Sequence, residues 1–211
     1  MNDSIDDVFL DVSEKFCREF VSNPYLCYTE HGLHALFYTR LFSAIPDKAR
    51  YIEYRDHKVC VVQKEYPTAG RLVRSRRQHW DIALVKAPPV PKPELKPSYD
   101  YLRLSAVAEF GLNATLKHLE KDRDRITDTD ANLERGFLFH FFRLSDGKSP
   151  VSGRDMSPKS KHFVSAESVL ENAKERVNGW PVTLFLAIAD QTKPHSNAAW
   201  CITADDTRKL V

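Results

Sequence analysis

Short apolar runs rich in β-branched and aromatic residues constrain the fold of this chain more than any other feature of its sequence. The runs Val59–Val62 and Ile82–Val85 are compatible with buried strands. Gly136–Leu144 is a third run of this kind and is dense in aromatic residues. Strands of this type need cover on both faces, so we expect a sheet with helices packed against it.

Two helices are predicted ahead of these strands. Apolar side chains recur at three- and four-residue steps along Ile5–Phe20, and Asn23-Pro24 ends this helix because the residue before a proline avoids the helical region. Thr29 can cap the free amides of a second helix, which Pro46 closes.

The remaining elements alternate between strands and helices. In order, we predict strands at Lys58–Tyr66, His79–Lys86 and Leu102–Phe110, a helix at Asn113–Ile126, a strand at Gly136–Leu144, a helix from Ser165 to Gly179, and strands at Val182–Ala189 and Trp200–Thr203. The proline-rich segment 87–97 and the polar segment 146–161 are interpreted as surface loops. This order predicts one α/β domain over residues 1–211, with a mixed central sheet flanked by helices on both faces.

Composition places few limits on function. The chain has 211 residues, 42% of them hydrophobic and 28% charged, as in an ordinary globular protein, and its net charge is only +2. No segment approaches the ~18 uninterrupted apolar residues of a membrane span, and the acidic start does not resemble a signal peptide. We therefore expect a cytoplasmic protein without a membrane partner. The four cysteines form no CxxC pair, which indicates reduced thiols rather than a zinc site or a disulfide framework.

Two acidic side chains embedded in apolar strands are the candidate metal ligands. Asp81 lies in His79–Val85, and Glu109 lies in Ala106–Phe110. An unpaired buried carboxylate is costly, so each needs a partner, a metal ion or an exposed strand end. Carboxylates on adjacent strands are a natural scaffold for Mg²⁺, which activates water and stabilises charge on a phosphate. The simpler alternative is a pair of surface carboxylates at strand ends.

The order of acidic residues and elements resembles the core of the PD-(D/E)XK, or restriction-endonuclease-like, nucleases. The segments that carry the resemblance are Tyr28–His34, Lys64–Thr68 leading to Arg77–Asp81, and Ala108–Phe110. Together they cover about residues 25–145. The resemblance implies an αβββαβ core and Mg²⁺ or Mn²⁺ held by Asp81 and Glu109. It also implies that Glu30, in the first turn of the second helix, supports the metal; the alternative is an acid favoured there by the helix dipole.

This sequence departs from the family pattern at two positions. Trp80 precedes Asp81 where the motif has proline, and Gly111 stands where the ExK motif has its lysine. Lys117 in the following helix is the candidate substitute that would orient the attacking water; alternatively it is one solvated lysine among several. The start of that helix, near Asn113, could also offer free amides to a phosphate.

Basic and histidine side chains near these motifs suggest further contacts. Arg76, Arg77 and His79 precede Asp81 and are the candidate contacts to a nucleic-acid backbone, although basic runs are often only solvated loop. His31 and His34 lack a zincin pattern and are interpreted as a supporting or phosphate-contacting pair. Glu65 is either an acid that supports the metal ligands or a plain strand residue.

Two functions fit these features. The first is a divalent-metal-dependent endonuclease acting on DNA, in restriction, repair or defence, in which Glu30, Asp81, Glu109 and Lys117 are the catalytic residues. The second is a nuclease-fold protein without catalysis that binds nucleic acid or a partner protein, and Gly111 is the feature that favours it. A nuclease that cuts both strands would suit a homodimer, and strong sequence specificity would need a partner subunit. A purely structural interaction module would leave the embedded carboxylates unexplained.

Overall fold

The computed structural model describes residues 4–68, 79–86, 102–131, 133–144, 165–190 and 193–211, and these form four α-helices and nine strands. The helices are α1 (Ile5–Ser22), α2 (Glu30–Ala44), α3 (Leu116–Ile126) and α4 (Ala166–Val177). The strands are β1 (Tyr51–Tyr54), β2 (His57–Cys60), β3 (Val62–Pro67), β4 (His79–Val85), β5 (Leu104–Leu112), β6 (Leu133–Leu144), β7 (Val182–Asp190), β8 (Ala198–Ile202) and β9 (Thr207–Lys209). The two predicted loops, 87–97 and 146–161, lie outside the described residues.

Seven strands form one mixed sheet in the order β3-β4-β5-β6-β7-β8-β9. The first three strands and the last three are antiparallel, whereas β5, β6 and β7 are parallel to one another. Parallel neighbours need a crossover connection, and α3 and α4 lie in those two connections. The predicted mixed α/β fold is confirmed. Among the elements of this sheet, α2-β3-β4-β5-α3-β6 follow the order αβββαβ, with the separate β1–β2 pair inserted between α2 and β3.

The helices cover the two faces of the sheet in pairs. On one face, α1 and α2 pack over an aromatic core that includes Phe9, Phe37, Phe110 and Phe139, with the Phe110 and Phe139 rings stacked 4.6 Å apart. On the other face, α3 and α4 pack over a mainly aliphatic core. Successive residues of β4 and β5 point to opposite faces of the sheet and so contact different helix pairs. The face on which Asp81 and Glu109 lie therefore determines their contacts. Among the described helices, none has the length and apolar character needed to cross a bilayer.

Helix starts follow the capping residues. Thr29 accepts the Gly32 amide at the start of α2, as predicted, and Ser165 forms a capping box at the start of α4. The predicted start of α3 near Asn113 is wrong, because Asn113 has a left-handed φ of +52° and Thr115 is the cap. The free amides at this helix end therefore begin at Leu116.

The single strand predicted at Lys58–Tyr66 is also wrong. The chain breaks at Val61 between β2, which pairs with β1 in a separate hairpin, and β3, which is an edge of the main sheet. The hairpin turn, Arg55-Asp56, has positive φ at both residues (48° and 62°), as a two-residue type I′ turn requires. A continuous apolar run thus supplies strands to two different sheets.

Candidate functional site

Asp81 and Glu109 lie side by side on adjacent strands. The pairing of β4 with β5 runs up to Ile82 opposite Ala108, which places the two acidic residues opposite each other at the next position. Beyond this point a side chain joins the two strands, because Asp81 Oδ2 accepts a hydrogen bond from the Phe110 amide at 2.9 Å. Both side chains have 0% of their surface exposed.

Arg125 of α3 lies against Glu109. Its Nη2 is 3.2 Å from Glu109 Oε1 and also donates to the His79 carbonyl at 2.9 Å. The guanidinium stacks over the Trp80 ring at 4.9 Å and is 3% exposed. A protein cation therefore lies against one of the two predicted metal ligands.

Asp122 extends this group of charges along α3. Its carboxylate is 2.9 Å from His118 Nε2, 3.6 Å from His140 Nε2 and 3.9 Å from Arg125 Nη1. Burial acts to raise the pKa of Asp122, but hydrogen bonds from His118 and His140 outweigh it and hold the pKa at about 2. We call Glu109, Asp122, Arg125 and His140 the buried polar network.

His140 occupies the space that a side chain at position 111 would need. Gly111 pairs with His140 in the β5–β6 register. A Cβ atom added at Gly111 would lie 2.6 Å from His140 Cε1 and 3.0 Å from Ala114 Cβ. A lysine therefore has no room at the ExK position while His140 keeps its place. Burial also lowers the pKa of His140, so the neutral ring does not replace the missing cation.

The lowered pKa of His140 predicts a pH-dependent stability. Burial disfavours its protonated form, and His118 does so to a lesser degree, while Asp122 and Glu30 act in the opposite direction. The unfolded chain therefore takes up a proton near the ordinary pKa of 6.5, before the folded chain does. We expect the free energy of unfolding of the wild type to fall, relative to that of His140→Gln, as pH drops through and below this value. Urea unfolding of both proteins between about pH 8 and about pH 5.5 measures the difference. A constant difference would contradict the prediction.

Glu30 and Lys117 lie in different environments. Glu30 is the first residue of α2, and its Oε2 accepts a hydrogen bond from the Leu112 amide at 3.3 Å, so it sits beside the end of β5. Lys117 is exposed on α3. It precedes Asp122 by five positions, about 140° around the helix, and so projects away from the buried polar network. The structure thus brings Glu30, but not Lys117, to the strand end where Gly111 lies.

Of the three residues predicted to contact nucleic acid, one lies among the described residues. His79 is exposed at the start of β4, whereas Arg76 and Arg77 lie outside the described residues. His79 pairs with Pro67 of β3, so the segment that carries the arginines connects two neighbouring strand ends.

A second group of side chains with metal-binding chemistry lies at the junction of α2 and β3. His31, His34 and Glu65 each offer one ligand atom, and these atoms all lie within 4.8 Å of one another. We call these three residues the His–Glu cluster. The histidine pair was visible in the sequence as an i, i+3 spacing on a helix. Glu65 could not be added to it, because only the packing of α2 against β3 brings it close.

Comparison with protein-family models, curated proteins and solved structures gave no match to this chain. The resemblance to PD-(D/E)XK nucleases therefore rests on the residues and the order of elements alone.

Proposed function

We propose that this chain is a nuclease-like protein that binds nucleic acid and does not hydrolyse phosphodiester bonds at Asp81 and Glu109. The observation that carries the proposal is the buried ion pair between Glu109 Oε1 and Arg125 Nη2, 3.2 Å apart. To bind Glu109 Oε1, a divalent ion would have to displace a guanidinium that also binds a backbone carbonyl and an aromatic ring.

The energetic cost of that displacement is large. Separating one partner from a buried ion pair costs about 3–5 kcal/mol, because it leaves a charge without compensation. Mg²⁺ also keeps several of its waters when it binds a protein, and Asp81 and Glu109 are both fully buried. The pair therefore lacks the hydrated space that this ion requires.

The cations in the part of the chain that the structure describes point the same way. In a PD-(D/E)XK site the motif lysine stabilises the attacking water and the phosphate. Here Gly111 stands at the position of that lysine, and the neutral ring of His140 fills the neighbouring space. Lys117 is exposed and projects away from the buried polar network. Among the described residues, Arg125 is the cation that reaches Glu109, and it is itself buried in the ion pair.

Nucleic-acid binding is the part of the proposal that rests on the sequence. Arg76 and Arg77 precede the exposed His79, and such residues contact phosphates in many nucleic-acid complexes. DNA is the partner that the family resemblance implies. A homodimer, a partner subunit and a cytoplasmic location stay predictions from the sequence.

Metal-dependent hydrolysis of DNA is the second candidate function. It is favoured by the placement of Asp81 and Glu109 on adjacent strands, with the Glu30 carboxylate at the end of β5. In that function Mg²⁺ or Mn²⁺ would bind Asp81 and Glu109 after Arg125 had moved.

A cleavage assay separates the two candidates. We expect supercoiled plasmid and single-stranded DNA to remain intact with the wild-type protein in Mg²⁺ or Mn²⁺, with no more product than Asp81→Ala gives. Agarose and denaturing gels measure nicking and strand cleavage. Cleavage by the wild type that Asp81→Ala and Glu109→Gln both abolish would overturn the proposal in favour of the nuclease.

Binding needs its own measurement on the same proteins. We expect fluorescence anisotropy to show association with labelled DNA that weakens as salt increases, because phosphate contacts release counterions. The double variant Arg76→Ala/Arg77→Ala should bind less tightly and with a shallower salt dependence. Arg40→Ala, an exposed arginine on α2, is the matched control. Equal affinity of the double variant and the control would remove the proposed contacts.

A further inference from the structure

We propose that His31, His34 and Glu65 bind a divalent transition-metal ion of the Zn²⁺ or Co²⁺ type. This site shares no residue with the Asp81–Glu109 pair, so it does not depend on whether that pair is inactive. The closest approach is between His31 Nδ1 and His34 Nε2, at 2.7 Å, and His34 Nδ1 lies 4.0 Å from Glu65 Oε1.

The ligand atoms of the His–Glu cluster, which lie within 4.8 Å of one another, are somewhat further apart than in an occupied metal centre. Ligand atoms on a tetrahedral ion with bonds of about 2.0–2.1 Å are about 3.3 Å apart. A histidine binds a metal ion through one ring nitrogen, and with one ligand atom from each residue the His–Glu cluster spans up to 4.8 Å, so its widest pair must close by about 1.5 Å. Rotation of exposed side chains can provide this movement, because His31 and Glu65 are exposed while His34 is held in place.

The scaffold fixes the central ligand. His34 is 1% exposed and its ring lies 6.1 Å from that of Phe110, which belongs to the aromatic core. Its helix is set by the Thr29 cap two residues before His31. A buried imidazole with few orientations open to it loses little freedom when it binds a metal ion.

Glu65 has an unusual backbone conformation. Its φ is +54° although it lies inside β3, between residues that pair regularly with β4. A non-glycine residue in the left-handed region costs about 1–3 kcal/mol, and such positions concentrate at ligand sites where the surroundings impose them. Here the left-handed residue is the one whose carboxylate approaches His34.

The chemistry of the ligands selects the class of ion. Two imidazoles and one carboxylate suit Zn²⁺, Co²⁺, Ni²⁺ or Fe²⁺, whereas Mg²⁺ and Ca²⁺ prefer oxygen ligands alone. Three protein ligands leave a fourth position for water, and the 43% exposure of the Glu65 side chain places it toward solvent. Lys64 Nζ lies 3.9 Å from Glu65 Oε1, but an exposed pair of this kind contributes little and yields readily to a metal ion.

The test uses the whole chain, stripped of metal with a chelator. Zn²⁺ binding is measured by calorimetric titration, and Co²⁺ binding by its visible absorption, which reports the number and type of ligands. The variants are His31→Ala and Glu65→Gln, both at exposed positions, so that folding is preserved. His195→Ala, an exposed histidine before β8, is the matched control.

We expect one equivalent of Zn²⁺ to bind the wild type and the His195→Ala control with equal affinity. Each cluster variant should weaken binding at least about tenfold, and Mg²⁺ in excess should not compete. Absence of stoichiometric binding by the wild type would overturn the site, as would binding that His31→Ala and Glu65→Gln leave unchanged. Binding abolished by Glu109→Gln but not by His31→Ala would overturn both this site and the proposed function. Cleavage of DNA would overturn the proposed function, and a failure to bind Zn²⁺ would overturn this site, so the two proposals can fail separately.

Discussion

Replacing Arg125 with methionine is expected to lower the free energy of unfolding by about 3–5 kcal/mol, the cost of leaving a buried carboxylate without its partner. Methionine keeps much of the volume, so the loss reports on charge and hydrogen bonding rather than on a cavity. Arg125 also donates to the His79 carbonyl and stacks on Trp80, and these contacts are lost together with the ion pair. Urea unfolding at neutral pH measures the effect.

A double-mutant cycle isolates the ion pair from the other contacts of Arg125. Glu109→Gln removes the charge of the partner at nearly constant volume, and the double variant Arg125→Met/Glu109→Gln should lose clearly less stability than the two single losses added together. Arg40→Met is the control, because its pair with Glu19 is exposed and should contribute less than about 1 kcal/mol. An Arg125→Met effect no larger than that of the control would show that Glu109 has another source of compensation.

Restoring the motif lysine with Gly111→Lys is expected to destabilise the protein by about 1–3 kcal/mol without producing nuclease activity. The new Cβ would lie 2.6 Å from His140 Cε1, so either the ring or strand β5 must shift. Nuclease activity should not appear, because Arg125 still forms its ion pair with Glu109. Urea unfolding and the plasmid assay measure the two parts of the prediction.

His140→Ala in the Gly111→Lys background tests the steric cause. Removing the ring makes room for the lysine, so the two substitutions should be non-additive, with the double variant more stable than the summed single effects predict. Additive losses would place the strain elsewhere in β5. Cleavage by the single variant Gly111→Lys would contradict the argument that the ion pair blocks the site.

The parts of the fold with strong local signals could be predicted from the sequence. Thr29 and Ser165 begin helices because their hydroxyls satisfy first-turn amides, and Ile82–Val85 forms the centre of β4. Strands β1 and β9 could not be predicted, because each is short, has no buried residue and is stabilised by pairing with a neighbour. The break at Val61 likewise depends on a tertiary contact, the bond from its amide to the Arg50 carbonyl.

The candidate site, like the fold, could be predicted only in part from the sequence. Asp81 and Glu109 could be recognised as charges inside apolar strands, but Arg125, which pairs with Glu109, lies on α3 and could not be assigned to it from the sequence. Asp122 and Arg125 sit between Leu119 and Ile126 at three-residue steps, on the buried side of α3. Polar residues in an apolar helical stripe are the signal that could have revealed the buried polar network.

The docking of α1 has a consequence for how the chain is made. Its apolar side packs against β7 and β8, and Glu14 pairs with Arg208, which is 194 positions further along the chain. During synthesis α1 therefore emerges from the ribosome long before β7 and β8 have been made. Until β7 and β8 emerge, the side chains of Phe9, Phe16 and Phe20 face water and are open to chaperones or to other nascent chains. Fragments that end before β7 should aggregate rather than fold.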